Sequence, residues 1–155
     1  MKISPIAEPR WVGNEKRSGT SLSGDAGSDL IVGGESDSDL VVYDDRESGV
    51  VVDLRPRGGA DDGNATDGPK GARDDVRRTE GVLGTAGDDS QFGNRKANVS
   101  DGAGGQDQVF GREGDNRLLL ADGEADVADC GSGVDAVRFD RSLDVASRCE
   151  DRDGV

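Results

Sequence analysis

The sequence predicts an all-β solenoid, and three observations carry that expectation. Polar anchors recur at a fixed step: Glu80, Asp89, Asn98, Asp107 and Asn116 lie nine apart, and Asp126 and Asp135 repeat the spacing after one extra residue. An earlier pair, Asp29 and Asp39, shows the same ten-residue step. The position two residues after an anchor is often apolar, as at Ile31, Val41, Val82, Val109, Leu118, Ala128 and Val137. Glycine keeps the same phase, with Gly24 and Gly27 before Asp29, Gly84 and Gly87 before Asp89, and Gly111 and Gly114 before Asn116. Gly33, Gly102, Gly105 and Gly133 stand in the corresponding turns. Self-similarity at a fixed period marks a solenoid, in which each repeat buries its apolar side only against its neighbours.

Composition agrees with a thin core. The chain has 155 residues, of which 25 are Gly and 32% are hydrophobic, and its formal charge is −14. Globular domains average about 45–50% apolar residues, so a conventional close-packed interior is not expected. Length allows one domain, with room for an appendage. Low hydropathy with high charge would by itself suit disorder. The phased repeats argue for order that depends on a ligand. Such a charge makes nucleic acid and anionic membrane poor partners and a cation the natural one.

Absent residue types exclude more. The sequence has no His, which removes Ser-His-Asp and Cys-His catalysis and imidazole metal sites. Carboxylates are everywhere, so no pair stands out for acid–base work, and no enzyme is expected. No apolar run approaches the roughly 20 residues of a membrane span. The opening MKISPIAEPRW has no apolar stretch of the signal-peptide kind. Two cysteines, Cys130 and Cys149, are too few for a disulfide framework but suffice for one staple.

The segments GDAGSDLIV, GTAGDDSQF, GAGGQDQVF, GREGDNRLL and CGSGVDAVR resemble the nonapeptide G-G-x-G-x-D-x-U-x of repeats-in-toxin (hemolysin-type) calcium-binding proteins. The stretch from SGVVVDL to TEGVLGT is similar to a spacer between repeat blocks in secreted bacterial members. The ending DCGSGVDAVRFDRSLDVASRCE resembles a common terminus of that family. The resemblance covers residues 18–150. It implies a parallel β-roll in which two nonapeptides make one coil, Ca2+ as the cofactor, and an extracellular setting. It also implies Asp29, Asp39, Asp89, Asp107, Asn116, Asp126 and Asp135 as the metal-binding positions. The chemistry suits the residue types. Glycine permits the sharp turns, aspartate sets a hard oxygen beside turn carbonyls, and calcium takes six to eight oxygen ligands. Calcium would then supply much of the folding energy.

The elements follow in order. Residues 1–17 are a non-repeat lead, with Trp11 and Val12 placed to cap the first coil. Residues 18–54 form a short repeat block whose last strand is Val50–Val51–Val52 with Leu54. Residues 55–76 lack periodicity and are rich in Gly, Asp and Arg, hence a loop or spacer. Residues 77–150 are the main roll with its C-terminal cap. Acidic residues off the ladder, including Asp44, Asp45, Asp61, Asp62, Asp74 and Asp75, are expected on a solvated surface.

Within the roll, anchors 18 apart should share an edge. One edge then carries Asp89, Asp107 and Asp126, although the turn ADGEAD before Asp126 lacks the glycine pattern. The other carries Glu80, Asn98, Asn116 and Asp135, with Lys96 in place of a turn glycine. Affinity for calcium depends on ligand charge, so the aspartate edge should be the better binder. Ladder aspartates could instead simply cap turns by hydrogen bonding. Gln91 and Ser100 occupy inward positions where apolar residues are expected. Cys130 and Cys149, 19 residues apart, would lie nearly above one another on adjacent coils, flanking Val137, Phe139, Leu143 and Val145. Two reduced, buried thiols are the alternative to a disulfide. Three functional readings stand: a secreted calcium-binding module, a non-catalytic appendage of a larger exoprotein, or an acidic disordered chain with decayed repeats. No residue names a protein partner.

Overall fold

The computed structural model describes residues 11–13, 19–35, 37–56, 61–68, 70–71 and 73–155. The fold is all-β, with no helix among the described residues, and its strands stack as a β-solenoid of about seven turns. Each repeat spends six residues on its turn and leaves three for a strand, which is why the strands are so short. One sheet runs in the order β15-β13-β11-β9-β7-β4-β2. Its members are β2 (Ser21–Leu22), β4 (Leu40–Val42), β7 (Gly81–Leu83), β9 (Val99–Asp101), β11 (Arg117–Leu119), β13 (Ala136–Phe139) and β15 (Asp151–Gly154). The facing side holds β5 (Val51–Asp53), β8 (Ser90–Phe92), β10 (Gln108–Phe110), β12 (Val127–Asp129) and β14 (Val145–Ser147). It is extended by a three-stranded group of β1 (Trp11–Gly13), β3 (Leu30–Val32) and β6 (Asp75–Arg77).

Every pairing between these strands is parallel and in the register of the repeat. Val82, Ser100, Leu118 and Val137 align on one side, and Val52, Gln91, Val109 and Ala128 on the other. These middle side chains point inward and are 0–2% exposed, Gln91 and Ser100 included. Gln91 Nε2 donates to Asp101 O at 2.9 Å, while its Oε1 is buried without a hydrogen-bond partner among the described residues. A buried aliphatic side chain contributes about 1.5–3 kcal/mol, and a coil holds only two such positions. Turn hydrogen bonds must therefore do much of the rest. Trp11 and Val12 fall in β1, beside β3, at the end of the second side. Residues 1–10 and 14–17 of the expected lead lie outside the described residues.

Residues 55–76 are expected as a loop or spacer; among the described ones, Asp62, Gly63 and Asp74 form antiparallel bridges and Asp75 opens β6. β5 does not adjoin β3. Asp62 and Gly63 run antiparallel between β5 and β6, bridging Val51 to Gly63 and Asp62 to Asp74. This one reversal joins the three-stranded group to the five-stranded sheet. It leaves flanking backbone N–H groups without a strand partner, and the Asp62 carboxylate supplies one. It accepts from Asp53 N at 2.8 Å and from Val76 N at 2.9 Å. Asp74 accepts from Asp29 N at 2.8 Å and from the Tyr43 hydroxyl at 3.1 Å. Asp62 and Asp74 are 3% and 0% exposed, so the expected solvated surface is wrong for these two. Asp44, Asp45 and Asp61 are exposed as expected.

Burial pushes the Asp62 carboxyl up to about 7, against the lowering effect of its two backbone donors. Burial likewise pushes Asp74 up to about 7. An acid raised in the folded state is protonated there while already ionised in the unfolded chain. Its stabilisation is complete below the unfolded value near 3.8 and is lost as pH climbs through about 7. Metal-free protein is therefore expected to melt several degrees lower at pH 8 than at pH 5. Equal or higher melting temperatures at pH 8 would contradict this assignment.

The C-terminal end is thin. Cys130 and Cys149 form a disulfide with Cα atoms 5.2 Å apart, bridging the last two coils as the 19-residue spacing suggests. Cys130 is fully buried beside Leu118, Leu120 and Val137, with Phe139 and Ala146 packed alongside. Leu143 and Val145 are 47% and 64% exposed, so the apolar cluster expected between the cysteines reduces to Val137 and Phe139. The position of β15 in register with Val137 is Arg152, which is exposed, so this strand adds no side chain to the core.

Candidate metal centre

The turns leading from the first sheet to the second form the aspartate edge. Its anchors stack and hydrogen-bond from coil to coil. Val50 N donates to Asp89 Oδ1 at 2.7 Å, Asp89 N to Asp107 Oδ1 at 2.8 Å, and Asp107 N to Asp126 Oδ1 at 2.8 Å. Asp126 N continues the series to Asp144 Oδ1 at 2.9 Å. Each carboxylate thus satisfies the backbone of the coil before it, and the anchors do cap turns. The second oxygens differ. Asp89 Oδ2 accepts from Thr85 N at 2.7 Å, and Asp144 Oδ2 accepts from Asp140 N at 2.7 Å. Asp107 Oδ2 and Asp126 Oδ2 are buried and have no hydrogen-bond partner among the described residues.

The two carboxylates that carry these oxygens do not stand alone. Asp107, Asp122 and Asp126 each bring one carboxylate oxygen to within 4.8 Å of the others. Asp107 and Asp126 are buried, whereas Asp122 is exposed at the mouth of the group. Gly102 makes the approach possible, since a Cβ there would fall on Asp107 Oδ2. Gly105, at φ 103°, then turns the chain through a conformation that side chains resist.

Burial pushes the Asp107 carboxyl up to about 8; the hydrogen bond from Asp89 N lowers it, and the charges of Asp89, Asp126 and Asp122 raise it further. Burial pushes Asp126 up to about 6, with Asp122, Asp144 and Asp140 adding to the rise. Both groups are held where their charged forms are costly. A cation would offset that cost, and three carboxylate oxygens within 4.8 Å of one another could serve as ligands to one.

The remaining expected positions are ladder members outside this group. Asp39 is satisfied by Thr20 N at 3.1 Å and by Gly34 N. Asp29 sits in the ladder beside Asp74. On the other edge, Asn116 Oδ1 accepts from Asn98 N at 3.0 Å, and Asp135 Oδ1 from Asn116 N at 2.7 Å. The pairing of anchors 18 or 19 apart on two separate edges is as expected. Asp122 was not singled out from the sequence. Its signal was the turn ADGEAD, where an acidic residue stands in the second position in place of glycine. No helix among the described residues is long and apolar enough to cross a membrane. No protein-family model matches the chain, and no curated protein matches it either.

Proposed function

We propose that this chain is a calcium-binding repeat module of the repeats-in-toxin kind that completes its fold by taking up Ca2+ in an extracellular setting. The observation that carries the reading is the pair of buried, unpartnered oxygens on Asp107 and Asp126 beside the Asp122 carboxylate. Asp107, Asp122 and Asp126 would hold the ion, which would supply the counter-charge that these turns lack. The nonapeptide phase and the solenoid support the same reading. The Cys130–Cys149 disulfide fits an oxidising compartment. No enzymatic role is proposed.

Calcium titration of the metal-free protein tests this. Millimolar calcium is expected to increase the far-ultraviolet β signal and raise the urea midpoint. Magnesium is expected to do neither, because it holds its waters and demands tight octahedral geometry. Asp107→Asn should weaken calcium binding about tenfold or more, equivalent to about 1.4 kcal/mol, since it sits between Asp89 and Asp126 in the ladder. Identical spectra and midpoints with and without calcium would reject the proposal.

A further inference from the structure

We infer that Asn98, Asn116 and Lys96 stand in for bound cations, so that the middle of the second edge is braced by the chain's own donors and cation uptake is confined to turns whose anchor is an unsatisfied aspartate. The inference rests on the calcium reading above and assigns where along the roll the ions go.

The edge leading from the second sheet back to the first stacks Asp39, Glu80, Asn98, Asn116, Asp135 and Glu150. A cation in such a turn would tie an anchor oxygen to neighbouring carbonyl oxygens. An amide reaches the same carbonyls with N–H. Asn98 Nδ2 donates to Glu80 O at 3.1 Å. Asn116 Nδ2 donates to Gly114 O at 2.9 Å and to Cys130 O at 3.1 Å, joining its own turn to that of the next coil. Lys96 supplies the positive charge directly. Its ammonium donates to Glu80 Oε1 at 2.9 Å and to Asp37 Oδ1 at 3.0 Å. The Glu80 carboxylate, 4% exposed as a residue, is thereby neutralised in place, while its other oxygen accepts from Asp39 N at 3.3 Å.

The same ladder contains its own control. Asp135 is the next anchor after Asn116 and occupies the equivalent place, accepting from Asn116 N as Asn116 accepts from Asn98 N. A carboxylate has no N–H to offer. Asp135 Oδ2 has no partner among the described residues, in the same state as Asp107 Oδ2 and Asp126 Oδ2, since no turn N–H reaches it as Thr85 N reaches Asp89 Oδ2. Amide and carboxylate are nearly isosteric, so the difference lies in the donor alone. The two asparagines, which weaken the repeat pattern as calcium ligands, remove the need for calcium at their turns.

The test compares Asn116→Asp with Asn116→Ala by calorimetric titration with calcium and by urea unfolding at limiting and saturating calcium. Asn116→Asp is expected to take up one more calcium per chain than the parent. It should unfold at lower urea than the parent when calcium is limiting and recover at saturation. Asn116→Ala should bind as many ions as the parent and unfold at lower urea at both calcium levels. An Asn116→Asp chain with no additional calcium, or an Asn116→Ala chain with the parent's midpoint, would overturn the inference. A parent chain that takes up no calcium overturns the calcium reading instead. The amide brace is then judged by Asn116→Ala alone, whose lowered midpoint in chelator supports it and whose unchanged midpoint refutes it.

Discussion

Asp62→Ala is expected to destabilise the protein by about 2–4 kcal/mol, because it removes the acceptor of two backbone N–H groups at once. Each buried donor left without a partner costs about 1–3 kcal/mol. Asp62 Oδ1 serves Asp53 N and Oδ2 serves Val76 N, one on each strand that flanks the reversed segment. The methyl group of alanine reaches neither. The loss should therefore loosen β5 and β6 from one another, not merely shift a surface charge. Asp62→Asn keeps one acceptor oxygen and should fall between the two. Asp44→Ala, at an exposed site, should stay within about 0.5 kcal/mol of the parent. Urea denaturation at fixed calcium measures all three. If Asp62→Ala and Asp44→Ala prove equally mild, the reversed segment does not hold the two halves of the second side together.

Reduction of the Cys130–Cys149 disulfide is expected to cost about 3 kcal/mol, the chain-entropy value for a loop of this length. The cost should fall mainly on the last coil. β14 presents Val145 to solvent at 64% exposure, and the position of β15 in register with Val137 is Arg152, which is exposed. Little apolar contact remains to hold this coil once the crosslink is gone. Phe139 and Ala146 pack against the cluster around Val137, but only in part buried. Cys149→Ser should therefore accelerate hydrogen exchange across residues 145–154 far more than across β9 and β10. Unchanged protection in that segment would mean that the parallel ladder, not the disulfide, secures the end of the solenoid.

Much of the roll was legible because a solenoid repeats the same local task. A turn, an inward side chain and a capping anchor recur at one spacing, and each coil meets mainly the coils next to it in sequence. Ile31, Val41, Val82, Val109, Leu118 and Val137 could thus be placed inside from phase alone, and all are 0–2% exposed. The division of anchors between two edges followed from the same arithmetic, as did the closeness of Cys130 and Cys149. Gln91 and Ser100 were readable as flaws in the inward column for the same reason.

Residues 55–76 had no phase, and there the outcome rested on pairing across distance. Asp62 reads like any acidic residue in a polar spacer. It is buried because the reversal leaves N–H groups on β5 and β6 that only a nearby acceptor can satisfy. Asp74 is buried by its place under Tyr43 and beside Asp29. Asp122 looked like damage to a turn, and its relation to Asp107 and Asp126 appears only when successive coils are stacked. Leu143 and Val145 look apolar enough for a core, yet Val145 stands at an outward strand position, in register with Val127, which is itself 43% exposed, and Leu143 lies in the turn before it. The repeat, the inward column and the two edges depend on spacing along the chain and are therefore readable before folding. Which carboxylates are satisfied, which are buried without a donor, and where the chain reverses depend on the groups that neighbouring coils leave unpaired, and these exist only once the coils are stacked.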